Sequence, residues 1–177
     1  MRIALVRHPA PSIAPGVCYG RLDVGLSSAA EEQIAGLATD PALQGAKRVW
    51  TSPAVRCREP AETIARALGV PLMVDARLSE LDFGAWEGQP WEAIGRADLD
   101  RWARSPLTFA PPGGESGAEL LSRVGDFHAG LRQDQQDCVV VSHGGPLKVL
   151  LALLLGMQVN LLTPAPPIGS VRVVTCP

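Results

Sequence analysis

Two of the three histidines in this chain stand at the ends of short apolar runs. His8 follows the apolar residues 3–6 and Arg7. The prolines after His8 cannot continue a helix or donate backbone hydrogen bonds to a sheet, so residues 3–6 are predicted to form a short buried strand that ends here. His143 stands at the end of a second such run, residues 138–141. Ligands of open α/β sheets bind beyond the carboxyl ends of the strands. Both histidines are therefore candidate catalytic residues, although a histidine after a strand also fits a surface or capping role.

The turn that holds His143 is suited to binding an anion. Gly144 and Gly145 let a ligand approach the backbone closely. Pro146 and the apolar stretch after it predict that a helix begins here. The free N–H groups and positive dipole end of a helix N-terminus favour phosphate or carboxylate.

A second predicted helix carries two arginines near its positive end, Arg56 and Arg58. Ser52 is the predicted N-cap and Pro53 the predicted first residue of this alanine-rich helix. A cation near the positive end of a helix is unfavourable unless an anion joins it, which makes Arg56 a candidate anion ligand. Arg58 is predicted to lie in solvent or to pair with a glutamate of the same helix.

Three carboxylates lie among large apolar residues in the segment 78–88. Glu80, Asp82 and Glu87 are each candidate general acids. Composition does not separate them, and each also fits the role of a solvated loop acid.

In this order the motifs resemble those of the histidine phosphatase superfamily, also called phosphoglycerate mutase-like. The matching segments are Arg7-His8, Thr51-Ser52-Pro53-Ala54-Val55-Arg56-Cys57, Leu78-Ser79-Glu80 with Phe83-Gly84, and Ser142-His143-Gly144. Tyr19-Gly20-Arg21-Leu22-Asp23 and Pro112-Gly113-Gly114-Glu115-Ser116 look most like the α-ribazole phosphatase branch of the cobalamin pathway. The resemblance spans nearly the whole chain. It implies an α/β fold, a three-layer α/β/α sandwich with a mostly parallel central sheet.

The resemblance also implies phosphoryl transfer through a covalent phosphohistidine, with His8 as the nucleophile. Glu80 is implied to protonate the leaving group and then to activate the water that releases phosphate. This choice over the other two acids rests on the resemblance alone. The implied ligands of the phosphate and the substrate are Arg7, Arg56, His143, Gly144, Gly20 and Arg21. The scheme requires no cofactor and no metal.

The implied substrate is a small phosphomonoester, α-ribazole 5′-phosphate, whose hydrolysis belongs to adenosylcobalamin biosynthesis. Two alternatives stay open. One is a broad-specificity phosphatase of the same superfamily, or one acting on sugar phosphates, nucleotides or phosphohistidine. The other is a catalytically silent phosphate-binding module.

The loop after His8 departs from the family's pattern. Pro9 replaces the usual glycine, and Pro11 and Ala14 stand where the family has a hydroxyl residue and an asparagine. Ser12 and Arg21 could supply replacement donors from the same loop. The lost polar groups are the reason that a silent module stays open.

Composition predicts one domain spanning residues 1–177, with residues 80–115 as an insertion over the active site. The chain is 46% hydrophobic, and its formal charge of -2 with scattered basic residues predicts no nucleic-acid partner. The apolar run 149–155 is too short to cross a membrane. The four cysteines, without paired spacing, favour a cytoplasmic location. The sequence does not indicate an oligomeric state.

Strands are predicted near residues 2–7, 47–51, 71–74, 138–142 and 169–175, with helical segments between them. Capping-box patterns at Ser28 with Glu31 and at Ser116 with Glu119 predict two helix starts. A further helix is predicted over residues 91–103, and His128 is predicted to be exposed on a helix. The aromatic residues of the region are interpreted as core packing, with a roof over the substrate as the alternative; they are Phe83, Trp86, Trp91 and Trp102.

Overall fold

The computed structural model describes residues 1–176, which form five strands and five α-helices. In chain order they are β1 (Arg2–Arg7), α1 (Ala30–Thr39), β2 (Arg48–Thr51), α2 (Val55–Leu68), β3 (Leu72–Val74), α3 (Arg96–Arg104), α4 (Gly117–Asp134), β4 (Cys138–Ser142), α5 (Gly144–Leu154) and β5 (Val171–Thr175). Short 3₁₀ helices occur at Pro41–Leu43, Ala76–Leu78, Gly84–Trp86 and Trp91–Ala93. The five strands lie within two residues of their predicted bounds.

The strands form one mixed sheet in the order β3-β2-β4-β1-β5. β4 lies between β1 and β2 and is parallel to both, whereas β5 is an antiparallel edge strand. The register pairs Arg7 with Ser142, and the N–H of His8 donates to Ser142 O at 3.0 Å. The N–H of Ser52, after β2, donates to Val141 O at 3.1 Å. Three polar residues thus meet at the carboxyl edge of the sheet.

Helices cover both faces of the sheet, which confirms the predicted α/β/α sandwich. Alternate strand residues point to opposite faces. Ala4, Val6 and Val139 pack with α1 and α2, whereas Ile3 and Val140 pack with α4 and α5. All five of these residues are at most 1% exposed, so two apolar cores hold the sheet edge in place.

Two predicted helix starts have different outcomes. The capping box of Ser116 and Glu119 is confirmed at the start of α4. The pattern of Ser28 and Glu31 is wrong as a capping box, because α1 begins after Ala29 and has no side-chain cap.

The predicted start of α2 is also wrong. The N-cap is Ala54 rather than Ser52, and Pro53 lies outside the helix. The free N–H of Val55 donates instead to Asp23 Oδ1 at 2.9 Å. Ser52 lies two residues before the cap position, where its Oγ accepts the N–H of Ala54 at 3.4 Å and lies 2.8 Å from His143 Nε2. The prediction for Arg58 is confirmed, since it pairs with Glu62 at 3.3 Å.

The single helix predicted over residues 91–103 is wrong. The backbone is extended at Ile94 and Gly95, which separates the 3₁₀ helix Trp91–Ala93 from α3. The break lets the rings of Trp91 and Trp102 stack with centroids 6.3 Å apart. Burial of aromatic surface outweighs the helix propensity of this segment.

The aromatic residues of this region pack around Cys18 and Ile94, and the core-packing interpretation is confirmed for the buried Trp86. Phe83, Trp91 and Trp102 are only partly buried and also line a cavity, so a roof over the substrate stays a prediction for them. The cluster contains Phe83, Trp86, Trp91, Trp102 and Phe109. That residues 80–115 are an insertion within one domain stays a prediction.

His128 is half-buried on α4, so its predicted exposure is wrong. Burial, and then the charge of Arg132, lower its pKa. In the described chain all four cysteines are buried free thiols. Within residues 1–176, helices long and apolar enough to cross a bilayer do not occur.

Candidate active site

His8 lies one residue beyond β1 and is 1% exposed. Its Nδ1 is 2.8 Å from Pro9 O. A carbonyl oxygen only accepts, so Nδ1 carries the proton and Nε2 keeps its lone pair. Burial lowers the pKa of His8 to about 4, with further lowering by Arg56 and Arg7, against the opposing hydrogen bond to Pro9. The ring is therefore neutral near pH 7, with Nε2 available as a nucleophile.

Arg56 is the second residue of α2 and is fully buried, which is rare for a cation without a partner. Its Nη1 donates to Leu22 O at 3.0 Å and its Nη2 to Gly20 O at 2.7 Å. The guanidinium Cζ lies 5.2 Å from the centre of the Tyr19 ring. These contacts fix the guanidinium plane but leave its positive charge without a carboxylate partner among residues 1–176.

Arg7, the last residue of β1, donates from Nη1 to Pro166 O at 2.6 Å. This bond holds the loop before β5 beside the site. The Nε–H groups of Arg7 and Arg56 are both buried and have no hydrogen-bond partner among residues 1–176. Two cations with spare donors beside one neutral imidazole form a site for an anion.

His143 is the fully buried N-cap residue of α5. Its Nε2 lies 2.8 Å from Ser52 Oγ and 3.5 Å from Cys57 Sγ. Its ring meets that of His8 edge to face, with centroids 5.2 Å apart. Burial lowers the pKa of His143 well below its ordinary value, and Arg56 lowers it further. Both imidazoles are thus neutral, and the hydroxyl of Ser52 orients the second one.

Glu80 is set apart from the two neighbouring acids by its contacts. Its carboxylate accepts the N–H of Gly145 at 3.1 Å through Oε1 and at 3.3 Å through Oε2, in the first turn of α5. Asp82 instead accepts the N–H of Gly84 at 2.8 Å, and Glu87 accepts that of Arg21 at 2.7 Å. The structure therefore separates three acids that composition leaves equivalent, because only Glu80 faces the helix that carries His143.

Two cavities share Gly20 and Glu80. The smaller, about 240 Å³, is lined by Gly20, Arg21, Asp23, Ser52, Pro53, Ala54, Arg56, Ser79, Glu80 and His143. The larger, about 270 Å³, is lined by Arg7, Val17, Cys18, Tyr19, Gly20, Glu80, Leu81, Phe83, Trp91, Trp102, Leu120, Gly144, Gly145, Lys148, Leu161 and Ala165. We call them the basic cavity and the aromatic cavity. His8 lines neither, but its ring touches that of His143 in the wall of the basic cavity.

The glycines predicted to bind substrate stand where the backbone is crowded. A Cβ at Gly20 would lie 2.5 Å from Leu81 O and 2.8 Å from Phe83. A Cβ at Gly144 would lie 2.7 Å from the Cβ of Ala165, close to the guanidinium of Arg7. Glycine is therefore required at both positions for the cavity walls to meet.

The replacement donors expected in the loop after His8 differ in position. Ser12 is exposed and lines neither of the two cavities. Arg21 lines the basic cavity, but its guanidinium lies 3.6 Å from Asp82 and 3.4 Å from Glu115. Ser12 is therefore not brought to the site, and Arg21 reaches it as part of an ion-pair network.

Sequence reasoning missed the contributions of three residues to the site. Ser52 was assigned to the helix, whereas it bonds His143. Lys148 lines the aromatic cavity, and Arg123 binds the loop that carries Glu80. For Lys148 and Arg123, the available sequence signal was a polar residue among the apolar residues of a helix.

Comparison with known proteins agrees with this geometry. The family model for the histidine phosphatase superfamily (branch 1) matches residues 3–175. The chain is 31% identical over 166 residues to phosphoserine phosphatase 1 of Hydrogenobacter thermophilus, covering 90% of this chain and 79% of that protein. It is 30% identical over 171 residues to a glucosyl-3-phosphoglycerate phosphatase of Mycolicibacterium vanbaalenii, covering 90% and 76%.

Among solved structures, the α-ribazole phosphatase from Shigella flexneri aligns with a TM-score of 0.87 and 25% identity, covering 99% of this chain and 90% of that one. The chain therefore belongs to the histidine phosphatase superfamily. Like these three relatives, it is a phosphatase.

Proposed function

We propose that the chain is a phosphomonoesterase that works through a phosphohistidine at His8. The observation that carries this proposal is the neutral His8, whose Nδ1 proton is held by Pro9 O while Nε2 is free beside Arg7 and Arg56. Nε2 attacks phosphorus, so that an N–P bond forms and the ester P–O bond breaks. The two guanidinium groups and His143 stabilise the charge on the equatorial oxygens.

Glu80 moves the protons of both steps in this proposal. It enters protonated and gives its proton to the leaving alkoxide. As a carboxylate it then takes a proton from water, whose oxygen attacks phosphorus while the N–P bond breaks. Phosphate leaves, and both Glu80 and His8 regain their starting states. Glu80 lines both cavities, with Arg56 and His143 in one and Arg7 and the aromatic wall in the other, and this central position supports the role.

We propose α-ribazole 5′-phosphate as the substrate. The aromatic cavity supports an apolar, planar leaving group, because Phe83, Trp91 and Trp102 form one wall of it. The similarity to an α-ribazole phosphatase structure supports the same choice. Gly20 would bind the ester where the two cavities meet, with Arg21 on the basic side and Gly144 on the aromatic side.

A second candidate is a phosphomonoester whose leaving group bears a carboxylate. Lys148 supports it, because this cation lines the same cavity and donates to Leu161 O and Thr163 O, which leaves a third N–H for a ligand. The relatives named phosphoserine phosphatase and glucosyl-3-phosphoglycerate phosphatase support it too.

A substrate panel separates these candidates. We would measure kcat/KM for α-ribazole 5′-phosphate, O-phosphoserine, 3-phosphoglycerate and para-nitrophenyl phosphate, using wild type, Trp102→Ala and Lys148→Gln. Arg104→Ala, at the exposed end of α3, is the matched control. Preference for the ribazole ester that Trp102→Ala removes supports the first candidate. Preference for a carboxylated ester that Lys148→Gln removes supports the second.

The other outcomes of this panel are equally informative. Similar slow turnover of all four esters would favour a broad-specificity phosphatase. Phosphate binding without turnover by wild type would contradict the enzyme proposal and favour a silent module. The proposal includes a cytoplasmic location, which the buried free thiols support, and a small molecule rather than nucleic acid as the partner.

A further inference from the structure

The segment that carries Glu80 has little regular structure of its own. It connects the 3₁₀ helix Ala76–Leu78 to the next one, Gly84–Trp86. Its carbonyl groups therefore need donors from elsewhere, since buried backbone acceptors are almost always paired. One side chain, Arg123 of α4, is the donor for two of them and for the carbonyl of Arg77 in the preceding 3₁₀ helix. Arg123 Nη1 donates to Arg77 O and to Ser79 O, both at 2.7 Å, and its Nη2 donates to Glu80 O at 3.0 Å.

Arg123 is itself fixed by the carboxylate of Glu115. Its Nε donates to Oε1 at 2.6 Å, and its Nη2 to Oε2 at 2.8 Å. The two side chains are only 16% and 10% exposed. A guanidinium has five N–H groups, and these five contacts use the whole set. The pair is therefore a rigid bracket and not a mobile surface ion pair.

Glu115 also binds the far side of the same segment. Its N–H donates to Asp82 O at 2.8 Å, and its Oε2 lies 3.4 Å from the N–H of Asp82. Hydrogen bonds thus fix the backbone on both sides of Glu80, and this directs its carboxylate at the N–H of Gly145.

We propose that Arg123, held by Glu115, is a positioning residue that keeps the Glu80 carboxyl within reach of the leaving oxygen. This inference rests on the proposed function, in which Glu80 is the general acid. Arg123 acts through the backbone of the 77–80 segment and touches neither phosphate nor leaving group. Its loss lets the segment shift, and a shift of about 1 Å in a catalytic group is enough to slow the reaction about 100-fold.

The leaving group is the readout that a merely structural role would not move. An alkyl ester such as α-ribazole 5′-phosphate needs a proton on its leaving oxygen, whereas p-nitrophenolate departs without one. kcat/KM reports only the steps up to formation of the phosphoenzyme, so slower release of phosphate does not affect the comparison of the two esters. We expect Arg123→Lys to lower kcat/KM about 100-fold for the alkyl ester, a loss within the range that general acid catalysis contributes. For para-nitrophenyl phosphate we expect a loss of less than about 5-fold, because its leaving group needs no proton.

Glu80→Gln provides the reference for complete loss of the acid, and Arg132→Ala, on the exposed face of α4, is the control. If Arg123→Lys does not fold, Glu115→Gln weakens the same bracket and should give the same alkyl-selective loss. In the Glu80→Gln background, Arg123→Lys should have almost no further effect on the alkyl ester, because both variants remove one function.

Equal losses for the two esters in Arg123→Lys, or additive losses in the double variant, would overturn the positioning role. If Glu80→Gln itself showed no dependence on the leaving group, the proposed role of Glu80 would fail instead. The two failures are therefore distinguishable.

Discussion

Mild acid should destabilise this protein through His8. The folded imidazole has a pKa of about 4, against 6.5 for an unperturbed histidine, because it is buried. As the pH falls below 6.5, the unfolded chain binds a proton that the folded chain does not accept until about pH 4. The stability present above pH 6.5 is therefore lost progressively on the way down to pH 4.

The size of this loss follows from the two pKa values. One pKa unit corresponds to about 1.36 kcal/mol, so the full interval is worth about 3 kcal/mol. Relative to pH 7.5, the contribution of His8 is smaller by about 1.4 kcal/mol at pH 5.5 and by about 2.5 kcal/mol at pH 4.5.

The assay is urea unfolding of wild type and His8→Asn at pH 7.5, 5.5 and 4.5, in buffers free of phosphate. Titrating groups away from the site are common to both proteins, so the difference between their free energies of unfolding reports on His8 and on His143, whose pKa His8 lowers. Wild type should lose about 2.5 kcal/mol relative to the variant between pH 7.5 and 4.5. Parallel pH profiles, or an NMR titration of His8 with a midpoint near 6.5, would refute the reasoning that burial and two arginines keep the nucleophile neutral.

Three further predictions concern the site and the core. Ser52→Ala should lower kcat/KM about 10-fold, since it removes a hydrogen bond that orients His143; steady-state kinetics at full activity would contradict this. Gly145→Ala places a Cβ against the Glu80 carboxylate and should slow alkyl esters about 100-fold more than aryl esters; a uniform effect on both would oppose it. Phe127→Ala should cost about 3–5 kcal/mol in urea unfolding, because Phe127 is 2% exposed and packs on Trp50 at 5.5 Å; a loss below about 1 kcal/mol would show that the core repacks.

The centre of the sheet was predictable because residues 3–6 and 138–141 are uninterrupted apolar runs, each followed after one residue by a histidine. Placing His8 and His143 at one sheet edge requires only that their strands be parallel, and β1 and β4 are adjacent and parallel. The position of Arg56 near the start of a helix was predictable as well, but its burial, which sets it apart from the exposed Arg58, was not.

The role of Ser52 was not predictable from local sequence. A serine before a proline has the pattern of an N-cap, and its actual partner, His143, is 91 residues away. The cap of α2 comes instead from Asp23, in a loop that no helix pattern points to.

Arg123 was hidden for a different reason. Three of its five acceptor contacts are to main-chain carbonyl oxygens, which every residue possesses and no sequence pattern marks. The break at Gly95 was hidden as well, since the stacking of Trp91 on Trp102 that favours it joins residues on either side of the break.

The central claim is that phosphate passes through His8. Wild type would be mixed with ³²P-labelled substrate, quenched within milliseconds in alkali, in which phosphohistidine survives, and digested for mass spectrometry. The account predicts a label on the peptide that contains His8, its loss in His8→Asn, and its decay at the rate of turnover. Full turnover by wild type with no label on His8, or with His8→Asn as active as wild type, would contradict the account.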